Sequence, residues 1–137
     1  MKFEIEGKPL PLSRPYYSKT AIFDRSKKDK ELFSLQCSYM KPKEPLEGPL
    51  SLDLEFYFER PKSHFRTGKY SHLLKKECTI YHKNTPDLSN LIKFVEDALI
   101  GSFYRDDRQI VIINAIKYYC HNGNNKPKTI IGIKEYA

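Results

Sequence analysis

Residues 50–59 read LSLDLEFYFE, with Leu50, Leu52, Leu54, Phe56 and Phe58 at alternate positions and Ser51, Asp53, Glu55, Tyr57 and Glu59 between them. Successive side chains of a strand leave opposite faces of a sheet. This period of two therefore specifies a strand that is buried on one face and open on the other. Such a strand needs neighbours for its backbone and a layer to cover its apolar face.

Both needs are met elsewhere in the chain. Residues 2–6 alternate apolar and charged side chains and end at Gly7, the pattern of a short edge strand. Residues 110–119 are apolar on both faces and rich in β-branched side chains, which predicts a strand in the middle of the sheet. A turn over 123–127 and a last strand over 129–133 predict a hairpin with a long loop. Pro9, Pro11 and Pro15 predict an extended, irregular path through Tyr17.

Two helices supply the cover. Leu32, Leu35, Gln36 and Tyr39 fall near helical spacing within 25–40, before Pro42, Pro45, Gly48 and Pro49 end the pattern. A second helix starts at Pro86 and Asp87, with Asp87 near the N-cap, and stops at Gly101. Leu88, Leu91, Ile92, Val95, Ala98 and Leu99 form its apolar stripe, with Ser89, Asn90, Lys93, Glu96 and Asp97 opposite. The expectation is an α+β fold, a single domain over 1–137. Its mixed sheet has about four or five strands, packed on one face by the two main helices.

At 137 residues the chain can bury a core without disulfides or a structural metal. Cys37, Cys78 and Cys120 are too far apart for a zinc motif and odd in number, so they read as reduced thiols. No apolar run is long enough to span a bilayer, and residues 1–12 lack the apolar core of a secretory signal. A cytoplasmic protein with no membrane partner is expected.

The net charge of +7 concerns partners, not fold, and nucleic acid is the commonest partner of a small basic domain. The cations concentrate in 60–83, where Arg60, Lys62, Arg66, Lys69, Lys75, Lys76 and Lys83 stand with three histidines and Phe65, Tyr70 and Tyr81. A charge run of this kind is often a solvated surface. Its place directly before residues 85–109 also suits contact with backbone phosphates, which cations neutralise with release of counterions.

Residues 85–109 read TPDLSNLIKFVEDALIGSFYRDDRQ. A helix with a free polar face is followed closely by Asp106 and Asp107 at a strand entrance. Carboxylates on adjacent rigid elements can converge on a hard cation, which would activate water and stabilise charge on a scissile phosphate, with Lys93 offsetting that charge. The same residues also suit purely structural roles: Asp87 a helix cap, Asp106 and Asp107 a turn, and Lys93 a solvated cation.

The order Pro86-Asp87-Leu88-Ser89-Asn90 and Lys93, then Asp97-Ala98-Leu99-Ile100-Gly101, then Asp106-Asp107 before a strand, resembles the core motif of the RusA family of crossover-junction endodeoxyribonucleases. The resemblance implies a homodimer that resolves four-way (Holliday) DNA junctions by paired nicks with Mg²⁺ or Mn²⁺. Asp87, Lys93 and Asp107 would correspond to catalytic residues, with Asp87 and Asp107 on the metal and Asp106 supporting it. The family pattern usually carries a second aspartate where this chain has Ser89, a neutral and weaker ligand. Asn90, Asp97 or Glu96 could partly substitute as ligands, Asp97 best of them, and Ser89 could bind metal through water. The substitution leaves an active enzyme with weaker metal binding, one with altered metal preference, or a junction-binding protein that has lost cleavage. A basic protein-interaction domain with wholly structural acids is the remaining reading.

Overall fold

The computed structural model describes residues 1–14, 16–17, 19, 21–121 and 124–137. Pro15 and the start of the turn expected at 123–127 lie outside the described residues. Four strands form the main sheet: β1 (Lys2–Glu6), β4 (Leu50–Phe58), β5 (Ile110–Tyr119) and β6 (Lys128–Glu135), in the order β1-β6-β4-β5. Two short strands, β2 (Tyr16–Tyr17) and β3 (Ile22–Phe23), pair with each other. The helices are α1 (Lys27–Cys37), continued by a 3-10 turn over Ser38–Met40, and α2 (Leu88–Leu99). This is the α+β, mixed-sheet architecture expected.

The strand with the clearest alternation has neighbours on both sides. β4 pairs antiparallel with β6 and parallel with β5, in register Leu52 to Ile133 and Leu52 to Ile113. Leu50, Leu52, Leu54, Phe56 and Phe58 are all buried beneath the helices, each worth roughly 1.5–3 kcal/mol relative to exposure. Ile131 and Ile133 of β6, and Phe3 and Ile5 of β1, extend that layer.

α2 buries Leu91, Val95, Ala98 and Leu99, as its stripe predicts, and also Phe94. Phe94 falls outside the stripe because the helix has a second neighbour: its ring meets Phe33 of α1 edge-on at 5.6 Å. Gly101 follows the helix with φ +90°, a conformation that only glycine adopts freely. Its N–H donates to the Tyr104 carbonyl at 2.7 Å. Behind this turn Phe103 stacks on Phe3 at 5.5 Å, and the Tyr104 hydroxyl donates to the Glu96 carbonyl.

Two expectations about the sheet are corrected. β5 is an edge strand, not a central one, and it does not pair with β6, because β4 lies between them. An apolar run with no alternation reads as buried on both faces. Yet Val111, Ile112, Ile113 and Ile116 are 62%, 45%, 40% and 38% exposed. The parallel β4–β5 pair is joined through α2, which places β5 on the far side of β4 from β6. β5 and β6 therefore lie on opposite sides of β4 and form no hairpin.

The three cysteines are free. Burial pushes the Cys37 thiol up to about 12, leaving it a small apolar side chain at neutral pH.

Candidate active site

Asp87 occupies the N-cap of α2, and its carbonyl accepts from the N–H groups of Asn90 and Leu91 at 3.1 and 3.2 Å. Its side chain makes no capping hydrogen bond and is exposed. An N-cap aspartate normally accepts from a backbone N–H of the first turn. The reading of Asp87 as only a cap lacks the contact that defines it. Ser89 and Lys93 are exposed on the same helix, spaced as face neighbours. The Asn90 carbonyl accepts from the Leu12 N–H at 2.9 Å, which ties the N-terminal extended segment to this end of α2.

The chain reaches Asp87 through a cis Thr85–Pro86 bond, and Lys117 of β5 holds that approach. Its Nζ donates to the carbonyls of Asn84 at 2.5 Å and Pro86 at 2.7 Å. Burial lowers the Lys117 pKa, while neighbouring Asp87 acts in the opposite direction. Sequence reasoning passed over this residue. The signal that could have found it is a single cation in the apolar run IVIINAIKYY.

The second group of acids lies at the other end of α2. Asp107 opens a 3-10 turn over Asp107–Gln109 and is exposed. Asp106 caps that turn: Oδ1 accepts from the Arg108 N–H at 2.8 Å, and Oδ2 from Arg108 Nε at 3.1 Å. These bonds from Arg108 hold the Asp106 carboxyl down at about 2. Gln109 completes the lock, accepting from Arg105 and Asp106 and donating to the carbonyls of Leu46 and Gly48. Both Asp106 oxygens are thus engaged within the turn. Burial raises the Glu96 pKa, with Asp107 and Asp97 adding to the rise. Asp97 lies 3.6 Å from Lys30, which also bridges Asp24 at 2.7 Å.

These placements separate residues that the sequence suggested would converge. α2 has 12 residues, a rise of about 18 Å. Asp107 precedes β5, whereas Lys117, beside Asp87, lies near its end, which is about 23 Å along a strand. Metal–oxygen bonds are only about 2.1 Å long, far shorter than either of these spans. Among the described residues no three His, Cys, Asp or Glu side chains are grouped to hold a metal. Asp97 stands with Asp107, not with Ser89, because eight residues of helix separate it from Ser89 by about 12 Å.

The 60–83 segment folds against the C-terminal ends of β4 and β5. Phe65 bridges Leu74, and Lys75 N–H donates to the His64 carbonyl, closing a small irregular hairpin. Lys62, Arg66, Lys69, Lys75, Lys76 and Lys83 are exposed on it. Arg60 is different, at 5% exposure. Its Nε donates to the Cys120 carbonyl at 2.6 Å and its Nη1 to the Thr79 carbonyl at 3.1 Å. Its guanidinium also lies 5.4 Å over the Tyr119 ring. Arg60 fastens the segment to the sheet and is poorly placed for a phosphate. Its position directly after an alternating strand was the available signal.

The description Endodeoxyribonuclease RusA belongs to the family whose model matches residues 6–134. The chain is also 32% identical over 144 residues to the "Uncharacterized protein YqaN" of Bacillus subtilis (strain 168). That alignment covers 100% of this chain and 97% of the relative. The match takes in nearly the whole chain and defines a family of DNA-acting nucleases. The chain belongs to the RusA family of endodeoxyribonucleases. No helix among the described residues is long and apolar enough to cross a membrane.

Proposed function

We propose that this protein is a metal-dependent nuclease of four-way DNA junctions whose active site is completed by a second copy of the chain. The observation that carries the reading is Asp87: an exposed N-cap carboxylate with no capping bond, held at a fixed point by Lys117. Among the described residues of one chain no three His, Cys, Asp or Glu side chains are grouped for a divalent cation. A two-fold pair would supply the grouping.

The free edge of β5 supports that pair. Ile80 and His82 bond to Tyr119 and Lys117, so the last part of the edge is covered, and among the described residues no strand pairs with the outer side of 110–116. An open edge with exposed β-branched side chains is a template for another strand. Antiparallel pairing of 110–116 with itself, about Ile113, would bring the start of the partner's β5 alongside Lys117. Asp107 of the partner subunit would then approach Asp87, and the same operation would build a second site. A divalent cation held there would supply water activation and charge neutralisation at the scissile phosphate. Lys93 would offset charge on the phosphate oxygens. The exposed lysines of 62–83 would follow the DNA backbone. Two cuts on a two-fold junction suit two symmetric sites.

Ser89 favours one other reading, a junction-binding protein without cleavage, since a hydroxyl brings no negative charge to the cation. A labelled four-way junction incubated with the protein and Mg²⁺ or Mn²⁺ separates the two. Paired nicks near the crossover are expected, and Asp107→Asn should abolish them while leaving binding intact. Junction binding with no nicking under either metal would refute cleavage and leave the binding reading.

A further inference from the structure

On the sheet face away from the helices, four side chains stand in one row across the strands. Lys128 of β6 is in register with Tyr57 of β4, and Tyr57 with Tyr118 of β5. Tyr81 bridges Tyr118 beyond the sheet edge. The three tyrosine rings are stacked, Tyr57 to Tyr118 at 5.1 Å and 26°, and Tyr118 to Tyr81 at 5.8 Å and 22°. Lys128 Nζ lies 5.4 Å from the Tyr57 ring centroid and closes one end. At the other end Tyr81 is 56% exposed.

We propose that Tyr81 is a stacking platform for an unpaired nucleobase at the Lys117 end of β5. The inference rests on the DNA reading above and adds what the site holds besides phosphate. A base stacks on any aromatic face, tolerant of sequence, provided the face is free and fixed. Tyr81 meets both conditions. One side of its ring is taken by Tyr118, and its backbone is pinned on either side. Tyr119 N–H donates to the Ile80 carbonyl at 2.8 Å, and His82 N–H to the Lys117 carbonyl at 3.1 Å. Arg60 holds the Thr79 carbonyl just before it. A ring so fixed loses little side-chain freedom on binding.

Its position gives the platform its use. The Lys117 Nζ donates to the Asn84 and Pro86 carbonyls and its own carbonyl accepts from the His82 N–H, so it anchors both the Tyr81 segment and the approach to Asp87. A base resting on Tyr81 would have its phosphates among Lys83 and the exposed cations of the same segment. Strands that separate at a junction crossover offer bases that are more easily unstacked than those within a duplex. A surface that receives such a base therefore favours crossovers over linear duplex.

The test uses the full chain without divalent metal and three probes at one salt concentration: oligo-dT, a four-way junction with 2-aminopurine at the crossover, and a linear duplex. Tyr81→Ala should weaken oligo-dT and junction binding about 5- to 100-fold, the range of one lost base stack. It should change duplex binding less than about twofold and leave the salt slope unaltered, because no phosphate contact is lost. Tyr81→Trp should retain affinity and the change in 2-aminopurine emission. Equal binding of all probes by Tyr81→Ala and wild type overturns the platform while the nuclease reading stands. A drop in salt slope of about one also overturns it, since that marks a phosphate contact. If wild type binds none of the probes, the DNA reading fails with it.

Discussion

Arg60 and Lys62 are near neighbours in the chain with opposite roles. Arg60 lies under the 60–83 segment and holds two carbonyls, whereas Lys62 is exposed above it. Arg60→Met should destabilise the fold by about 2–4 kcal/mol in urea titration, because buried acceptors lose a charged donor. Lys62→Gln should leave stability within about 0.5 kcal/mol and lower the salt slope of DNA binding by about one. His82 gives a pH dependence. Its ring stacks on Phe58 at 4.1 Å, its buried Nδ1 has no hydrogen-bond partner, and burial, then Lys117, lowers its pKa. A folded-state value below the unfolded one means that the unfolded chain takes up the proton first as pH falls. The stability is present above about 6.5 and is lost as pH drops below it. Thermal unfolding between pH 7.5 and 5.5 should show that loss, and His82→Phe should reduce it.

At the scale of elements, the alternation of β4 and the stripe of α2 were both legible, because each depends on a local period matched by one buried face. The place of β5 was not. Its apolar run is the same for a buried central strand and for an edge that another chain covers, and only the sheet order distinguishes them. The site shows the same limit. Asp87, Lys93 and Asp107 stand out through the resemblance of their segment to a family motif, but a motif does not reveal that α2 lies between the two acids. Lys117 and Tyr81 act through partners distant in sequence, Pro86 and Tyr118, which no local pattern records. The edge assignment carries its own prediction. Ile113→Lys, at a position 40% exposed, should yield a folded monomer in sedimentation velocity. An unchanged dimer would place the interface elsewhere.

Taken as a whole molecule, the chain places acids at both ends of α2, which the proposed function reads as two halves of a site. Asp87 with Lys117 stands at one end, and Asp107 with Glu96 at the other. Two-fold pairing through β5 would turn those halves into two complete sites, so that dimerisation and cleavage become one property. Subunit complementation tests this most directly. Asp87→Asn and Asp107→Asn proteins, each inactive alone, are mixed, allowed to exchange subunits and assayed for nicking of a labelled four-way junction with Mg²⁺. A heterodimer carries one site with both carboxylates, so statistical mixing should restore about a quarter of the wild-type sites. Nicking that returns toward that level is the predicted result. A mixture as inactive as its two components, with heterodimers shown to have formed, would contradict the shared site.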